Sequence, residues 1–197
     1  MPEIVIRPAQ PEDQSAVYGV LYESWNTSYA PLLGRNAALK MMPTSSLLKI
    51  FMQVADRQDE VQFDVAEIDG RVAGFVCSQP DFYLNRHFLG MLYVRPTHQH
   101  RGIGQRLLAS TIACAGKTRA LRLHILRDNT KAQIFYERHG FNVIRNGWDW
   151  AAWQPIKVLQ RNLRAEDRVP VEPKRTSFSD QALRSARAPS PWALPAK

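Results

Sequence analysis

The most informative segment of this chain is Leu92-Tyr-Val-Arg-Pro-Thr-His-Gln-His-Arg-Gly-Ile-Gly-Gln-Arg-Leu-Leu108. The apolar run from Phe88 to Val94, which Pro96 stops, predicts a strand, and a helical stripe of apolar residues begins at Ile103. Gly102 and Gly104 lie in the turn between them. The first N–H groups of a helix have no partner within it and lie at the positive end of its dipole. The segment therefore predicts an anion-binding site.

The composition of this turn fits a pyrophosphate. Gly102 and Gly104 would let the backbone approach phosphates without an intervening side chain. Arg101 and Arg106 would add positive charge, with Arg101 the better placed of the two. Two glycines after a strand are weak evidence alone, because many such glycines only form turns. A Walker loop is excluded because no Gly-Lys-Ser/Thr follows the first glycines of this segment, and the dinucleotide fingerprint fails at Leu107, where it needs a small residue.

Two motifs follow one another along the chain, separated by a predicted helix and strand. The first is Gln99-x-x-Gly102-x-Gly104, and the second is Asn129-x-x-Ala132-x-x-Phe135-Tyr136-Glu137-x-x-Gly140-Phe141. The first resembles the coenzyme A loop of the GNAT superfamily of acetyl-CoA-dependent N-acetyltransferases. The second is similar to the later cofactor and acid region of that superfamily. The resemblance extends over about residues 3–156 in architecture.

The resemblance implies an enzyme that uses acetyl-CoA as co-substrate and acetylates a primary amine by direct attack on the thioester. It implies that the backbone of Leu92 and Val94 bonds the pantetheine arm and the thioester carbonyl, where the strand splays from its neighbour. Tyr136 matches the tyrosine that protonates the leaving thiolate, with a core aromatic as the alternative. Asn129 matches a cofactor contact, with a helix N-cap as the alternative. The implied phosphate-loop residues are Gln99, Arg101, Gly102, Ile103, Gly104 and Gln105.

The remaining patterns predict an α/β (α+β) fold. The element order is β, α, α, β, β, β, α, β, α, β, β, which gives a mixed, mostly antiparallel sheet with helices on both faces. A strand at residues 4–6 precedes two helices, the second over about 36–54 and interrupted near Pro43. Asp69-Gly70 predicts one hairpin turn, and Asn146-Gly147 predicts another within a closing hairpin that ends at Trp153.

The chain is predicted to contain one domain, residues 1–158, followed by a disordered basic tail, residues 159–197. Residues 161–197 contain five prolines and eight Lys/Arg against four Asp/Glu, without a periodic apolar pattern. The net charge of the whole chain is +8. Outside the tail, the excess of positive charge is spread along the sequence, so nucleic acid is not an expected partner.

Other classes of protein are excluded by composition. No apolar run is long enough to cross a membrane, and Glu3 stands where a signal peptide would be basic, so a cytoplasmic location is expected. Cys77 and Cys114 do not form a disulfide framework or a zinc spacing. His98-x-His100 lacks a third ligand, and no metal is expected. The chain is expected to be a monomer or a homodimer.

The sequence defines the binding site for the acceptor amine less well than the site for the cofactor. By analogy with the family fold, Trp25, Tyr29 and Trp150 would line the acceptor pocket, and plain packing is the alternative for each. Asp149 could orient an ammonium or be an exposed strand residue. The identity of the general base is not decided by the sequence, and the candidates are a water relay and four side chains. These side chains are Glu67, Asp81, His87 and His124.

Three functions remain possible at this level. The first is acetylation of a small-molecule or peptide amine. The second is a GNAT-type toxin that acetylates an RNA-linked amine, which the basic charge permits but does not require. The third is a noncatalytic acyl-CoA-binding regulatory domain. Tyr136 argues against this third function, because a binding module needs no acid.

Overall fold

The computed structural model of the chain describes residues 3–57, 61–81, 84–149 and 153–167. Within these residues, seven strands form one sheet in the order β1-β2-β3-β4-β5-β7-β6, antiparallel except for the β4/β5 pair. The strands are β1 Ile4–Pro8, β2 Gln62–Ile68, β3 Arg71–Asp81, β4 Arg86–Val94, β5 Ala120–Leu126, β6 Asn142–Asp149 and β7 Gln154–Asn162. The helices are α1 Gln14–Ser24, α2 Ala30–Leu33, α3 Arg35–Met41, α4 Ser45–Arg57, α5 Ile103–Cys114 and α6 Thr130–Arg138.

Helices cover both faces of the sheet, as the element order predicts. On one face α1 and α4 pack against β2 to β4, where the rings of Phe63 and Phe75 stack 5.5 Å apart. On the other face α5 and α6 contribute Leu107 and Tyr136 to a second core, which also contains Leu123 of β5. The predicted mixed, mostly antiparallel sheet is confirmed.

Strand β4 separates from β5 halfway along its length. The β3/β4 register shifts so that Cys77 pairs with Met91 but Ser78 pairs with Leu89, which leaves Gly90 as a β-bulge. The parallel ladder between β4 and β5 covers only His87–Leu89 of β4. A bulge bends its strand and increases the local twist. The edge of β4 that faces β5 is therefore open from Gly90 to Val94, and this gap is called the split below.

The closing hairpin differs from its prediction. Strand β6 continues through Asn146-Gly147, where Gly147 pairs with Ile156 of β7. The connection falls between Asp149 and Gln154 instead. The predicted turn is wrong because the Asn-Gly preference is local, whereas β7 buries Ile156 and Val158 in the sheet when it pairs along the whole of β6.

The end of β7 lies beyond the predicted domain boundary at residue 158. Strand β7 runs to Asn162, and Leu163 is buried in the second core. Arg161 donates a hydrogen bond to the His139 carbonyl at 3.1 Å and forms an ion pair with Asp167 at 2.6 Å. Residues 159–167 therefore pack with the domain. The tail prediction for residues 168–197 concerns residues outside the described ranges.

A buried polar network lies on the face covered by α5. The hydroxyl of Ser78 donates to Gln62 Oε1 at 2.8 Å and lies 2.9 Å from His87 Nε2. Because a serine hydroxyl has one proton, His87 Nε2 is the donor in the second bond. Ser110 of α5 donates to Asp64 at 2.7 Å. Burial lowers the pKa of His87 to about 4.

Two truncations test the extent of the domain. Removal of residues 168–197 should leave the melting temperature within about 2 °C of the full chain, because this segment contains five prolines and no periodic apolar pattern. Removal of residues 161–197 should lower it by roughly 5 °C or more, since Leu163 and the Arg161 contacts would be lost. Equal melting temperatures for the two truncated chains, measured by calorimetry, would contradict this extent.

Acid should destabilise the fold through His87. Its pKa is about 4 in the folded chain and about 6.5 when unfolded, so the unfolded chain binds the extra proton between these values. The free energy of unfolding should fall by up to about 3 kcal/mol from this residue as the pH drops from 6.5 to 4.

Urea unfolding at several pH values measures this effect. His87→Gln should flatten the dependence, because its side chain cannot titrate. Ser78→Ala, the control, should lower stability at neutral pH but keep the slope. An unchanged slope in His87→Gln would show that another group is responsible.

Candidate active site

The start of α5 presents free backbone donors. Gly102 is its N-cap and has a left-handed backbone, with φ of +82°, a conformation that glycine adopts without steric cost. The first helical hydrogen bond runs from Arg106 N–H to the Gly102 carbonyl at 3.1 Å. The N–H groups of Ile103, Gly104 and Gln105 therefore precede the helical ladder and can bind an anion. This geometry fits the predicted pyrophosphate loop.

Side chains fix the loop before α5 to its surroundings. Gln99 Nε2 donates to the Val94 carbonyl at 3.2 Å, so this side chain connects the loop to the end of β4. Arg95 donates to the Val72 carbonyl at 3.0 Å and forms an ion pair with Glu23 of α1. These contacts hold the loop against β3 and α1 without using the backbone donors of α5.

Arg101 is exposed and borders an open cleft of about 970 Å³. The cleft lies between α1 and the β2–β3 turn, and Arg71 and Arg95 also line it. None of its described lining residues belongs to the split. This cleft is therefore separate from the split.

The structure gives Gly104 and Asn129 definite local roles. A Cβ atom at Gly104 would lie 3.4 Å from the Phe135 ring, so this glycine allows α5 and α6 to approach each other. Asn129 is the N-cap of α6, and its Oδ1 accepts the Ala132 N–H at 3.1 Å. The alternative of an N-cap is thus confirmed for Asn129, and its contact with a cofactor stays a prediction.

Leu92 and Val94 both lie in the open stretch of β4, as the resemblance implies. Their side chains pack on the α5 side of the sheet. The Val94 carbonyl accepts hydrogen bonds from Gln99 and from Ser24 Oγ, the latter at 3.3 Å. Contact between this strand and a pantetheine arm is compatible with the split and remains a prediction.

Tyr136 lies on α6 with 8% of its surface exposed. Its ring makes edge contacts with Phe135 and Phe141, at centroid distances of 5.1 and 5.4 Å. Burial, and then the nearby Tyr29, raise the pKa of Tyr136 above its ordinary value. The phenol therefore stays protonated at neutral pH.

Two further tyrosines approach Tyr136 from the opposite face of the sheet. Tyr29 and Tyr93 form a side-chain hydrogen bond with each other, and Trp25 Nε1 donates to the Tyr93 hydroxyl at 3.2 Å. Burial, followed by the proximity of Tyr29, raises the pKa of Tyr93 well above its ordinary value, and Tyr136 adds to the effect. Tyr93 packs in the α1 core, whereas Tyr136 packs in the α5 core. Tyr136 can act on Tyr93 from the opposite face because the sheet is open at the split.

Sequence reasoning missed the roles of Tyr93 and Gly90. Tyr93 lies inside the quoted segment, but alternation along a strand cannot show what its hydroxyl contacts across the sheet. An isolated glycine in a strand pattern is a known sign of a bulge, and Gly90 gives that sign between Leu89 and Met91. Its consequence for the split depends on the register of β3.

The aromatic residues considered for the acceptor pocket differ in burial, and some pack in the core while others lie on the surface. Trp25 is 6% exposed and stacks on Tyr29 at 4.4 Å, within a π-helical turn, so it supports Tyr29 from the core. Tyr29 is partly buried beside the split. Trp150 lies outside the described residues. Its neighbours Trp148 and Trp153 are exposed, with ring centroids 6.4 Å apart.

Two of the general-base candidates lie away from the split. Glu67 pairs with Arg7 at 2.8 Å near the β1 edge of the sheet. His87 belongs to the buried network under α5 and donates to Ser78. Both side chains form structural contacts away from the split, so their positions do not support a role as general base.

The other two candidates lie on the face opposite α5. Asp81 pairs with Arg86 at 3.5 Å where β3 meets β4. His124 lies where β5 leaves β4, and its ring makes an edge contact with Phe88 at a centroid distance of 5.0 Å. Burial is the main cause that lowers the pKa of His124 to about 4, while Asp149 acts in the opposite direction. His124 is therefore a neutral imidazole near the split at pH 7.

The described ranges contain no group of three His, Cys, Asp or Glu side chains that could hold a metal. His98 Nδ1 lies 2.9 Å from the hydroxyl of Thr97. Neither Cys77 nor Cys114 forms a disulfide among the described residues. None of the helices in the described ranges has the length and apolar character needed to span a membrane.

Residues 59–143 match the family described as acetyltransferase (GNAT) domain. A comparison with the sequences of curated proteins gave no match. Among solved structures, the chain is similar to PaiA N-acetyltransferase from Thermoplasma acidophilum in complex with coenzyme A. The TM-score is 0.72 and the identity 23%, over 81% of this chain and 99% of that one.

Two other solved structures are similar in fold. One is ribosomal-protein-S18-alanine N-acetyltransferase from Escherichia coli, with a TM-score of 0.62 and 17% identity over 82% of this chain and 94% of that one. The other is Ard1 from Thermoplasma volcanium, with a TM-score of 0.65 and 18% identity over 82% of this chain and 98% of that one. At these identities the likeness establishes the fold.

The loop at Gly102 should be required for acetyl-CoA binding. Gly102→Glu would place a carboxylate at the anion site and should weaken binding at least about 100-fold, which corresponds to about 3 kcal/mol. Gly70→Glu is the control, because Gly70 also has a positive φ and open surroundings but lies in the β2–β3 turn. Calorimetry should detect nearly unchanged binding in the control. An unchanged dissociation constant for Gly102→Glu would refute the site.

Proposed function

We propose that this chain is an acetyl-CoA-dependent acyltransferase that acetylates a primary amine of a small molecule or peptide, since residues 59–143 match the acetyltransferase (GNAT) domain. The amine attacks the thioester directly. One observation supports this proposal most strongly, namely the meeting of three features at the split. These features are the backbone donors of α5, the open edge of β4 and the Tyr136 phenol.

The residues present suit acetyl-CoA, which supplies the acetyl thioester. The N–H groups that begin α5 would hold the pyrophosphate. The open edge of β4 from Gly90 to Val94 would bind the pantetheine arm with backbone groups that are fixed in advance. Such groups stabilise charge as it develops on a carbonyl oxygen, because they need no reorganisation.

Tyr136 is proposed as the acid. As the amine nitrogen bonds to the carbonyl carbon, the carbon–sulfur bond breaks and the thiolate takes the phenol proton. The raised pKa of Tyr136 keeps this proton in place, but it also reduces the driving force for transfer. We therefore expect its contribution to lie near the lower end of the range for acid catalysis.

The proton of the amine must leave on the other side of the split. His124 lies on that face and is neutral at pH 7, because burial lowers its pKa to about 4. An imidazole with such a low pKa accepts hydrogen bonds but is a weak base. We propose that the enzyme selects the neutral amine and that His124 orients it, directly or through water. Water accepts the proton that the nitrogen loses as the amide forms, and solvent returns a proton to Tyr136.

Substitution of Tyr136 separates an enzyme from a binding module. Tyr136→Phe removes only the hydroxyl, so the fold and most of the acetyl-CoA affinity should remain. The kcat at neutral pH should fall at least about tenfold, since acid catalysis contributes roughly 10² to 10⁴ and water replaces part of it. The control is Tyr22→Phe, because Tyr22 is 41% exposed on α1. If kcat is the same in mutant and wild type while chemistry limits the rate, Tyr136 is not the acid.

A further inference from the structure

Three arginines lie together on the sheet face opposite α5 and α6. Side chains alternate along a strand, and Leu121 and Leu123 of β5 enter the α5 core. Arg122 therefore points to the opposite face, as does His124. The helices α1 and α4 pack over β2 to β4 on that face, so β5 and β7 lie beside them.

The strand register places the other two arginines next to Arg122. Arg122 is opposite Phe88 of β4, and Arg86 precedes Phe88 by two residues on the same face. Arg145 of β6 pairs with Val158, which in turn pairs with His124. Arg86, Arg122 and Arg145 are called the arginine cluster below.

The polar groups of the cluster are incompletely paired. The Nε of Arg86 is buried and has no hydrogen-bond partner among the described residues. Its Nη2 lies 3.5 Å from Asp81, and only 17% of the side chain is exposed. The Nε and Nη2 of Arg122 both donate to Gln160 Oε1, at 3.3 and 2.6 Å. A buried guanidinium donor without a partner is costly, so an acceptor that reached this donor would stabilise the cluster.

The charges of this face favour an anion. Burial is the first cause that lowers the pKa of Arg122, and the charges of Arg86 and Arg145 are the next. The carboxylates facing the same groups are Asp81 and Asp149, so three arginines stand against two acids. Arginine binds the two oxygens of a carboxylate or phosphate with parallel hydrogen bonds.

We propose that the arginine cluster binds an oxyanion of the acceptor, so that the substrate is a small primary amine that also bears a carboxylate or phosphate. This inference rests on the proposed function, because it assigns the acceptor of the same split. Arg122 precedes His124 by two residues, roughly 7 Å along the strand, and it lies immediately before β4 and β5 separate. One molecule can therefore place its amine at the split and its oxyanion at the cluster.

Binding is tested first and without turnover. The full chain, with its phosphate loop saturated by coenzyme A, is titrated with glutarate and separately with inorganic phosphate. Nuclear magnetic resonance follows the arginine Nε–H signals. At least one oxyanion should give saturable shifts that Arg122→Gln abolishes and that the exposed control Arg71→Gln retains. The absence of saturable shifts, or equal shifts in Arg122→Gln, would overturn the proposal.

Turnover then identifies the class of oxyanion. Coenzyme A release is compared for 4-aminobutyrate against butylamine, and for O-phosphoethanolamine against ethanolamine. The acidic member of at least one pair should have a kcat/KM at least about tenfold higher. Arg122→Gln should remove this advantage mainly through KM and Arg122→Lys should restore part of it, whereas the exposed control Arg71→Gln should keep it.

The outcomes separate the two proposals. Equal turnover of acidic and neutral amines would refute the oxyanion subsite and leave the acetyltransferase proposal intact. Absence of turnover with every amine would count against the acetyltransferase proposal, while saturable oxyanion shifts lost in Arg122→Gln would still support the subsite. Preference for only one pair would establish which oxyanion the acceptor bears.

Discussion

The short ladder between β4 and β5 is the constraint on which the site depends. These strands pair only over His87–Leu89, and the bulge at Gly90 then turns β4 away from its neighbour. A sheet that opens in this way exposes backbone hydrogen-bonding groups that a continuous ladder would use. Such groups need another partner, and an extended ligand alongside β4 can provide one.

The split also connects the two cores. In a continuous sheet, side chains on opposite faces are separated by the backbone layer, but Tyr93 and Tyr136 interact electrostatically across this opening. Tyr136 is held by Phe135 and Phe141 on the α6 side, and Tyr93 is held by Trp25 on the α1 side. Each face thus contributes a fixed group to the same opening, which is the arrangement that a transfer between two substrates entering from opposite faces requires.

The two faces differ in their electrostatics. On the α5 face the helix start provides backbone donors for a pyrophosphate, and the buried polar groups His87, Ser78 and Gln62 satisfy one another. On the other face the arginine cluster retains a buried donor that has no partner within the described part of the chain. This contrast is the reason for assigning the second face to the acceptor and an anionic group to the acceptor itself.

The sequence by itself determined the features whose causes lie within a few residues. The turn at Gly102, the start of α5, the N-cap at Asn129 and the hairpin at Asp69-Gly70 follow from local backbone preferences, and the apolar periodicities follow from which face each element buries. The order of the strands along the chain was therefore predicted correctly, and the local geometry of the loop before α5 fits the predicted phosphate site, whose binding of an anion stays a prediction. Tertiary structure alone decided the rest, because it depends on residues far apart in the chain. Pairing with β7 overrode the Asn146-Gly147 turn, and the register of β3 located the bulge at Gly90. Packing placed His87 under α5 but His124 beside the split, although both are histidines in strands. Those outcomes depend on which strand lies next to which, and a sequence pattern does not state that.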